Sequence, residues 1–230
     1  MDYFNYQQGV LHAEGVAIPD IAAAIPTPFY LYSHATIVRH YQVFCDGLAG
    51  LDTLVCFAVK ANSNCAVLAT LGKAGAGADV VSEGEIRRAQ KAGIAAQKIV
   101  FSGVGKTRDE MAFALDCGIL QFNVESQPEL LALDDVARSK NLKAAIAIRI
   151  NPDVDAKTHA KISTGKKDNK FGVPIDSAQA LYQQAARLQG ITVQGVSMHI
   201  GSQLTSLEPF RDAYQRARAF VELLRSDGHT

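Results

Sequence analysis

One lysine in the sequence stands where its amine could act as a nucleophile. Lys60 ends the apolar run CFAVK and is followed by the polar residues ANSN. A lysine that leaves an apolar strand is partly desolvated, which favours the neutral amine that can form an imine with an aldehyde. The alternative is a lysine whose stem lies on apolar surface while its ammonium group reaches water. Composition alone leaves both interpretations open.

Polar side chains recur at the ends of the apolar runs of this sequence. Besides Lys60 they are Asp79 with Ser82, Ser102, Asn123 with Glu125, Arg149 with Asn151, and His199 with Ser202. In a β/α barrel the carboxyl ends of the strands form the functional face. Any single member of the set could be a helix cap or a surface residue. The set as a whole predicts a ligand site.

His199 lies in the segment SMHIGSQ, at the end of an apolar run. A histidine there could be a base, a metal ligand or a flat platform for an aromatic ligand, and a hydrogen-bonded core histidine is the simplest alternative. No His, Cys, Asp or Glu cluster at metal-ligand spacing accompanies it, so we expect no metal.

The segment FSGVGKT, residues 101–107, ends in Gly-Lys-Thr after an apolar run and so invites comparison with a phosphate-binding loop. That motif requires another glycine five positions before Gly105, and Val100 stands there. We therefore reject a nucleotide triphosphatase and expect Thr107 to cap the following helix.

Short apolar runs alternate with stretches of helical periodicity, which is the pattern of a parallel-sheet α/β protein. Strands are predicted at Leu54–Val59, Ala78–Val81, Ile99–Phe101, Gln121–Val124, Ala144–Ile150 and Gly195–Ile200, with a further possible strand at Phe29–Tyr32. Helices are predicted at Ala35–Leu48, Cys65–Lys73, Glu83–Ala92, Arg108–Cys117, Gln127–Lys140, Ser177–Leu188 and Pro209–Ser226. Signals of the form S/T-x-x-E predict helix caps at Ser82, Thr107 and Ser126.

Strand spacing alone leaves two architectures open. An open doubly wound sheet is complete with about six strands, whereas a (β/α)8 barrel needs about two more. The polar, Lys-rich segment Asn151–Pro174 breaks the alternation. Because it directly follows a strand, we expect a lid there rather than a solvated insertion.

Composition limits which classes of binding partner and which cellular compartment we expect. The 23 Lys and Arg residues balance the 23 Asp and Glu residues, which argues against nucleic acid and anionic membrane as partners and favours a small molecule. Cys45, Cys56, Cys65 and Cys117 show no C-x-x-C spacing and are interpreted as reduced thiols. With no targeting segment or apolar span in view, we expect a soluble cytoplasmic protein.

Seven blocks of the sequence, taken in order between about Asn5 and Gln203, together resemble the diaminopimelate decarboxylase family. They are TPFYLYS, FAVKAN, GAGADVVSEGE, FSGVGKT, FNVES, IRINPDVDAKTHAKISTGKKDNKFG and MHIGSQ. The resemblance implies pyridoxal 5′-phosphate as cofactor, with Lys60 forming the Schiff base. It also implies that His199 stacks on the pyridine ring, Ser202 lies near the phosphate, Asp79 lies near the cofactor and its lysine, and Arg149 reaches the phenolic oxygen.

The resemblance implies an alanine racemase-like fold, a cofactor-binding (β/α)8 TIM-type barrel followed by a β-rich domain. On this interpretation residues 34–230 are a barrel truncated after about six βα units, and residues 1–33 belong to or pack on the absent β domain. The family's phosphate loop and several further site residues would follow Thr230. We therefore expect the fragment itself to be inactive and the complete enzyme to be a homodimer.

The reaction that the resemblance implies is loss of CO2 from meso-2,6-diaminopimelate to give L-lysine. A related decarboxylase acting on another basic amino acid or on carboxynorspermidine stays open, because substrate choice rests on resemblance alone. A non-catalytic pyridoxal phosphate-binding barrel is a weaker alternative, since such a protein would complete eight strands within its own chain.

Overall fold

The computed structural model describes residues 2–154 and 171–229. The chain divides into two compact units, residues 1–79 with 84–98 and residues 80–83 with 99–230. Within the described ranges no helix combines the length and the apolar character needed to cross a membrane.

The first unit opens with a small antiparallel sheet that the sequence analysis did not predict. Its strands are β1 (Phe4–Gln7), β2 (Val10–Ala13) and β3 (Val16–Ala17), and the short helix α1 (Ile18–Ala24) follows. Both turns between the strands need left-handed backbone, at Gln8 and Gly9 and then at Glu14. The short, largely polar strands carry too weak an apolar alternation to be recognised from sequence.

The strand predicted at Phe29–Tyr32 is wrong. Residues 29–33 form neither helix nor strand, and the Tyr30 side chain is 91% exposed. Pro26 and Pro28 remove two backbone donors from this stretch. The aromatic residues that suggested a strand therefore reflect β propensity without a pairing partner.

The first unit continues with two βα repeats. They comprise α2 (His34–Asp46), β4 (Cys56–Ala58), α3 (Cys65–Lys73), β5 (Gly77–Val80) and α4 (Glu83–Lys91), and β4 pairs with β5 in parallel. Val67, Leu71 and Ala76 form a buried cluster, covered by partly buried apolar side chains from α2 and β4. The Asn64 side chain caps α3 by accepting a 2.8 Å hydrogen bond from Ala66 N.

The second unit carries a parallel sheet in the order β10-β8-β7-β6. Its elements are β6 (Ile99–Phe101), α5 (Arg108–Cys117), β7 (Gln121–Val124), α6 (Gln127–Ser139), β8 (Ala144–Asn151), β9 (Val173–Pro174), α7 (Ile175–Ala185), β10 (Ile191–Met198) and α8 (Glu208–Ser226). The short β9 pairs with the end of β8. Ile146, Ile148 and Ile150 of β8 are fully buried, as expected for a central strand of a parallel sheet.

Most predicted elements are confirmed, and the differences have local causes. The bounds of α3, α5, β6 and β7 agree with the prediction. β4 is shorter than predicted at both ends: it begins at Cys56, and the predicted last residue, Val59, starts a 3-10 helix, Val59–Ala61. β10 begins at Ile191, before the predicted start at Gly195, because the polar Thr192 and Gln194 interrupt the apolar run that was used to place it.

Two of the predicted caps are observed directly. Thr107 forms a complete capping box with Glu110 at the start of α5. The Ser126 hydroxyl accepts from Glu129 N at 3.3 Å, but the Glu129 carboxylate turns to other partners than the Ser126 amide. The predicted lid, Asn151–Pro174, has residues 155–170 outside the described part of the chain.

Candidate functional site

Lys60 lies on the 3-10 turn that follows β4. Val59 is fully buried and accepts a 3.0 Å hydrogen bond from Asn62 N, which fixes the turn to the core. Lys60 itself is exposed in this chain. In the chain alone, this exposure favours the second of the two interpretations of Lys60, an ammonium group that reaches water, because the turn carries Lys60 out of the strand.

Asp79 lies in β5, the parallel neighbour of β4. Asp79 pairs in register with Ala58, and Ala58 is two residues before Lys60 in the sequence. The Asp79 side chain is half-buried. Parallel strands place their carboxyl ends at one edge of a sheet. The first unit thus brings the predicted Lys60 and Asp79 to the same edge of the β4–β5 pair.

Arg149, His199 and Ser202 belong to the second unit. Arg149 lies in β8, level with Ser197 of β10, and His199 follows directly after the last residue of β10. His199 and Ser202 are both exposed. The second unit therefore gathers these three predicted residues at the carboxyl ends of two paired strands and in the loop that follows.

His199 lines a cavity of about 110 Å³ beside the start of α8. The other lining residues are Met198, Ile200, Gly201, Phe210, Ala213 and Tyr214. Ile200 and Ala213 are buried, and they anchor this wall to α8. The histidine thus has an apolar neighbourhood of the kind that holds a flat ring in place.

Arg149 is paired with a buried carboxylate that the sequence analysis noted at a strand end but did not assign to the site. Arg149 Nη1 lies 3.2 Å from both Oε1 and Oε2 of Glu125. The side chains are 12% and 2% exposed, respectively. Water screens such a pair weakly, so the pair strongly constrains where the guanidinium can lie.

A second buried ion pair lies next to the first. Lys106 Nζ is 2.7 Å from Glu129 Oε1, and the Lys106 side chain has no exposed surface. Lys106 also donates to the carbonyl oxygens of Gly103 and Asn123. These three bonds use all three N–H donors of the ammonium group, so Lys106 has none left for a phosphate group. This agrees with the rejection of the phosphate-loop motif.

The two ion pairs are joined through Glu125. Its backbone N–H donates to Glu129 Oε2 at 3.0 Å, and its Oε1 accepts from Gly103 N at 2.9 Å. Burial raises the pKa of Glu129, while the Lys106 ammonium opposes that rise. We call Lys106, Glu129, Glu125 and Arg149 the charge chain. The sequence analysis missed it because these four residues are spread over 43 positions of the sequence, from 106 to 149.

Arg149 retains a buried donor. Among the partners that the described residues provide, its Nε has none, and the same is true of both side-chain amide atoms of Asn151. Arg149 also lies over the Phe171 ring, with Cζ 5.7 Å from the ring centroid. A buried guanidinium with an unused N–H fits an anionic oxygen of a ligand.

Each of the two units, taken by itself, carries groups whose chemistry suits pyridoxal phosphate. The cofactor brings an aldehyde, a phenolic oxygen, an aromatic ring and a phosphate. The exposed Lys60 amine suits the aldehyde, the unused Arg149 donor suits the phenolic oxygen, and His199 offers a flat ring. Within the two described ranges, no group of three or more His, Cys, Asp or Glu side chains is placed to hold a metal ion.

Comparison with known proteins agrees with this chemistry. Residues 34–230 match the family described as pyridoxal-dependent decarboxylase, pyridoxal binding domain. The diaminopimelate decarboxylase of Pseudomonas aeruginosa is 54% identical over 99% of this chain and 55% of its own length. The Vibrio cholerae diaminopimelate decarboxylase is 52% identical over the same shares of the two chains. The chain thus spans about half the length of the curated relatives it matches.

Solved structures give the same answer for the fold. The crystal structure of Helicobacter pylori diaminopimelate decarboxylase complexed with L-lysine is 43% identical, with a TM-score of 0.88 over 92% of this chain and 54% of that one. An arginine decarboxylase from Paramecium bursaria Chlorella virus, bound to agmatine, is 26% identical over 93% of this chain and 55% of that one, with a TM-score of 0.79. The predicted α/β barrel fold is confirmed. The chain belongs to the pyridoxal-dependent decarboxylases, and residues 34–230 are its pyridoxal-binding part.

Proposed function

We propose that this chain contributes the cofactor-binding part of a diaminopimelate decarboxylase, which converts meso-2,6-diaminopimelate into L-lysine and CO2. The observation that carries the proposal is the 54% identity to the Pseudomonas aeruginosa enzyme across 99% of the chain. The arginine decarboxylase, at 26% identity, is much more distant, so a decarboxylase of another basic amino acid is not favoured.

The reaction breaks the bond between one α carbon and its carboxylate. The carboxylate carbon leaves as CO2, the bonding electron pair stays with the α carbon, and a proton then takes up that pair. Pyridoxal phosphate, when bound, supplies the electron sink that makes this cleavage possible. The protein has to hold the cofactor, orient the substrate and keep competing water away.

Each predicted site residue has a part in the proposal. Lys60 would hold the cofactor through its side-chain amine, the group that is suited to an aldehyde. Arg149 would donate to the phenolic oxygen, which its unused buried N–H supports. His199 would pack on the ring, Ser202 would bind the phosphate, and Asp79 would lie near the cofactor and its lysine. The positions of Asp79 in β5 and of His199 directly after β10 support this part of the proposal.

The proposal extends to organisation and compartment. Residues 1–33 would pack with a β-rich domain and residues 34–230 would form the barrel, in a cytoplasmic homodimer. The family resemblance supports the domain division and the dimer. Cys45, Cys56, Cys65 and Cys117 form no disulfide in the described part of the chain, which supports a reducing compartment.

The test is a substrate comparison with the complete protein. The purified protein, loaded with pyridoxal phosphate, is offered meso-2,6-diaminopimelate, L-lysine, L-ornithine and L-arginine in parallel, and CO2 release is measured. We expect kcat/KM for diaminopimelate to exceed the others by at least about 100-fold, since a site built to hydrogen-bond a polar group strongly rejects ligands that lack it. A preference for L-lysine, L-ornithine or L-arginine would refute the proposed substrate.

A further inference from the structure

The lysine of the rejected Gly-Lys-Thr motif has a second possible use. The side chain of Lys106 is fully buried, yet Lys106 lies outside the set of predicted cofactor ligands. Burying an unpaired ammonium group raises the free energy of the folded protein, so a buried lysine needs a nearby negative charge. Its partner Glu129 supplies that charge and connects Lys106 to Glu125 and Arg149.

We propose that Lys106 and Glu129 are positioning residues for the cofactor, acting through Glu125 on Arg149. The inference rests on the proposed function of Arg149 as the donor to the phenolic oxygen. In this arrangement Lys106 neutralises Glu129, so that Arg149 is the cation that pairs with the Glu125 carboxylate. Arg149 then keeps its Nε donor for the cofactor.

The charges of the chain support this role. Two carboxylates, Glu125 and Glu129, face two cations, Lys106 and Arg149, so the buried group is balanced. Without the Lys106 ammonium, the charges of two buried carboxylates would be balanced by one cation only, the guanidinium of Arg149. The uncompensated negative charge would also repel the phosphate and phenolic oxygens of the cofactor, weakly screened in this buried setting.

The hydrogen bonds supply the geometry. Glu129 bridges Lys106 and the backbone of Glu125 with its two oxygens, at 2.7 and 3.0 Å. Glu125 Oε1 is held from the other side by Gly103 N, whose φ of +97° places that amide in a turn favoured by glycine. Glu125 is therefore held at two points besides its contact with Arg149: its backbone N–H is bound by Glu129, and its carboxylate is bound by the Gly103 amide.

A purely structural role for Lys106 is the competing explanation. Lys106 holds the turn by donating to the Gly103 and Asn123 carbonyls, and loss of those bonds would loosen the fold whatever the charge of Glu129. The two explanations differ in one prediction. Removing the negative charge of Glu129 compensates for the loss of Lys106 only if the role is electrostatic.

The experiment uses the complete protein and measures the dissociation constant for pyridoxal phosphate by absorbance titration of the apoprotein. The variants are Lys106→Met, the double variant Lys106→Met/Glu129→Gln, and Lys140→Met as control. Lys140 forms an ion pair with Asp116 near the surface, away from the charge chain. Thermal unfolding of each apoprotein is recorded in parallel.

We expect Lys106→Met to raise the dissociation constant at least about tenfold, the double variant to lie within about threefold of wild type, and Lys140→Met to bind as wild type. Unchanged binding by Lys106→Met, or a double variant as impaired as the single one, would overturn the inference. If Lys106→Met does not fold, the double variant alone tests the inference: a dissociation constant within about threefold of wild type supports it, and a larger one overturns it. Failure of the wild-type protein to bind the cofactor would instead refute the proposed function.

Discussion

At the scale of single residues, the environment of Arg149 explains how one side chain can be fixed by an ion pair and still offer a hydrogen-bond donor to a ligand. Glu125 fixes one end of the guanidinium, and the buried Nε has no partner among the residues that the structure describes. A planar guanidinium can make both contacts at once because its donors point in different directions. A lysine at position 149 could pair with Glu125 but would lack the separate Nε donor.

Lys60 gives the most direct prediction at this scale. In the complete protein, Lys60→Ala should remove the amine that attaches the cofactor, and kcat should fall by at least about 100-fold, the lower end of what a positioned catalytic side chain contributes. Borohydride reduction followed by peptide mass spectrometry should locate the pyridoxyl group on Lys60 in the wild type. Lys73→Ala, an exposed lysine at the end of α3, is the matched control. A Lys60→Ala protein with wild-type turnover would rule out this assignment.

Cys56 gives a pH-dependent prediction. Burial, helped by the charge of Asp79, raises the pKa of its thiol to about 11 from an ordinary value of 9.0. At pH 8 the thiolate fraction should be about 100-fold lower than that of an ordinary thiol, so alkylation of Cys56 should be slower by at least that factor. Iodoacetamide labelling, followed by mass spectrometry with a cysteine peptide as reference, measures this difference. Equal rates at pH 8 would contradict the raised pKa.

The same shift has a consequence for stability. The folded pKa of Cys56 lies above the unfolded value, so the native state binds the proton more tightly. Its contribution is fully present below about pH 9 and is lost as pH rises from there through about 11. Asp79→Asn removes one of the causes and should reduce the loss.

At the scale of elements, short turns and caps decide where side chains point. The 3-10 turn Val59–Ala61 moves Lys60 off the strand axis, and the capping box at Thr107 starts α5 directly after Lys106. The two devices differ in origin. The capping box is a local pattern of hydroxyl and carboxylate, whereas the end of β4 depends on where its pairing with β5 stops.

Thr107→Ala tests the capping box. The Thr107 side chain accepts from Glu110 N at 3.2 Å and donates to Glu110 Oε2 at 3.0 Å, and alanine makes neither bond. We expect a cost of about 1 kcal/mol at the start of α5, seen as roughly fivefold faster hydrogen exchange at the first-turn amides. Thr53→Ala, an exposed threonine outside helices and strands, should leave that exchange unchanged. Equal exchange in both variants would show that the cap contributes little.

At the scale of the whole molecule, the chain matches about 55% of the length of its curated relatives. Several large apolar side chains are exposed in this chain, among them Tyr30 at 91%, Leu207 at 78% and Tyr6 at 74%. Since we propose that the 230 residues are part of a longer enzyme, we expect the rest of that enzyme to cover some of these side chains.

We therefore predict that the 230 residues on their own do not release CO2 from meso-2,6-diaminopimelate. The exposed Lys60 lacks the enclosed, water-free surroundings that the chemistry needs. The measurement is CO2 release by the purified chain with added pyridoxal phosphate, beside the complete protein as positive control. Turnover by the 230-residue chain would show that it already contains the whole catalytic apparatus.

The sequence by itself determined the alternation of strands and helices, the cap at Thr107 and the family, because each depends on residues close together along the chain or on ordered blocks. Only the tertiary structure decided that Lys60 leaves its strand on a turn, that residues 29–33 form no strand, and that Lys106 is buried against Glu129. The charge chain joins Arg149 of β8, Glu129 of α6, Glu125 directly after β7 and Lys106 in the loop between β6 and α5. Such contacts depend on strand register and burial, which no local pattern specifies.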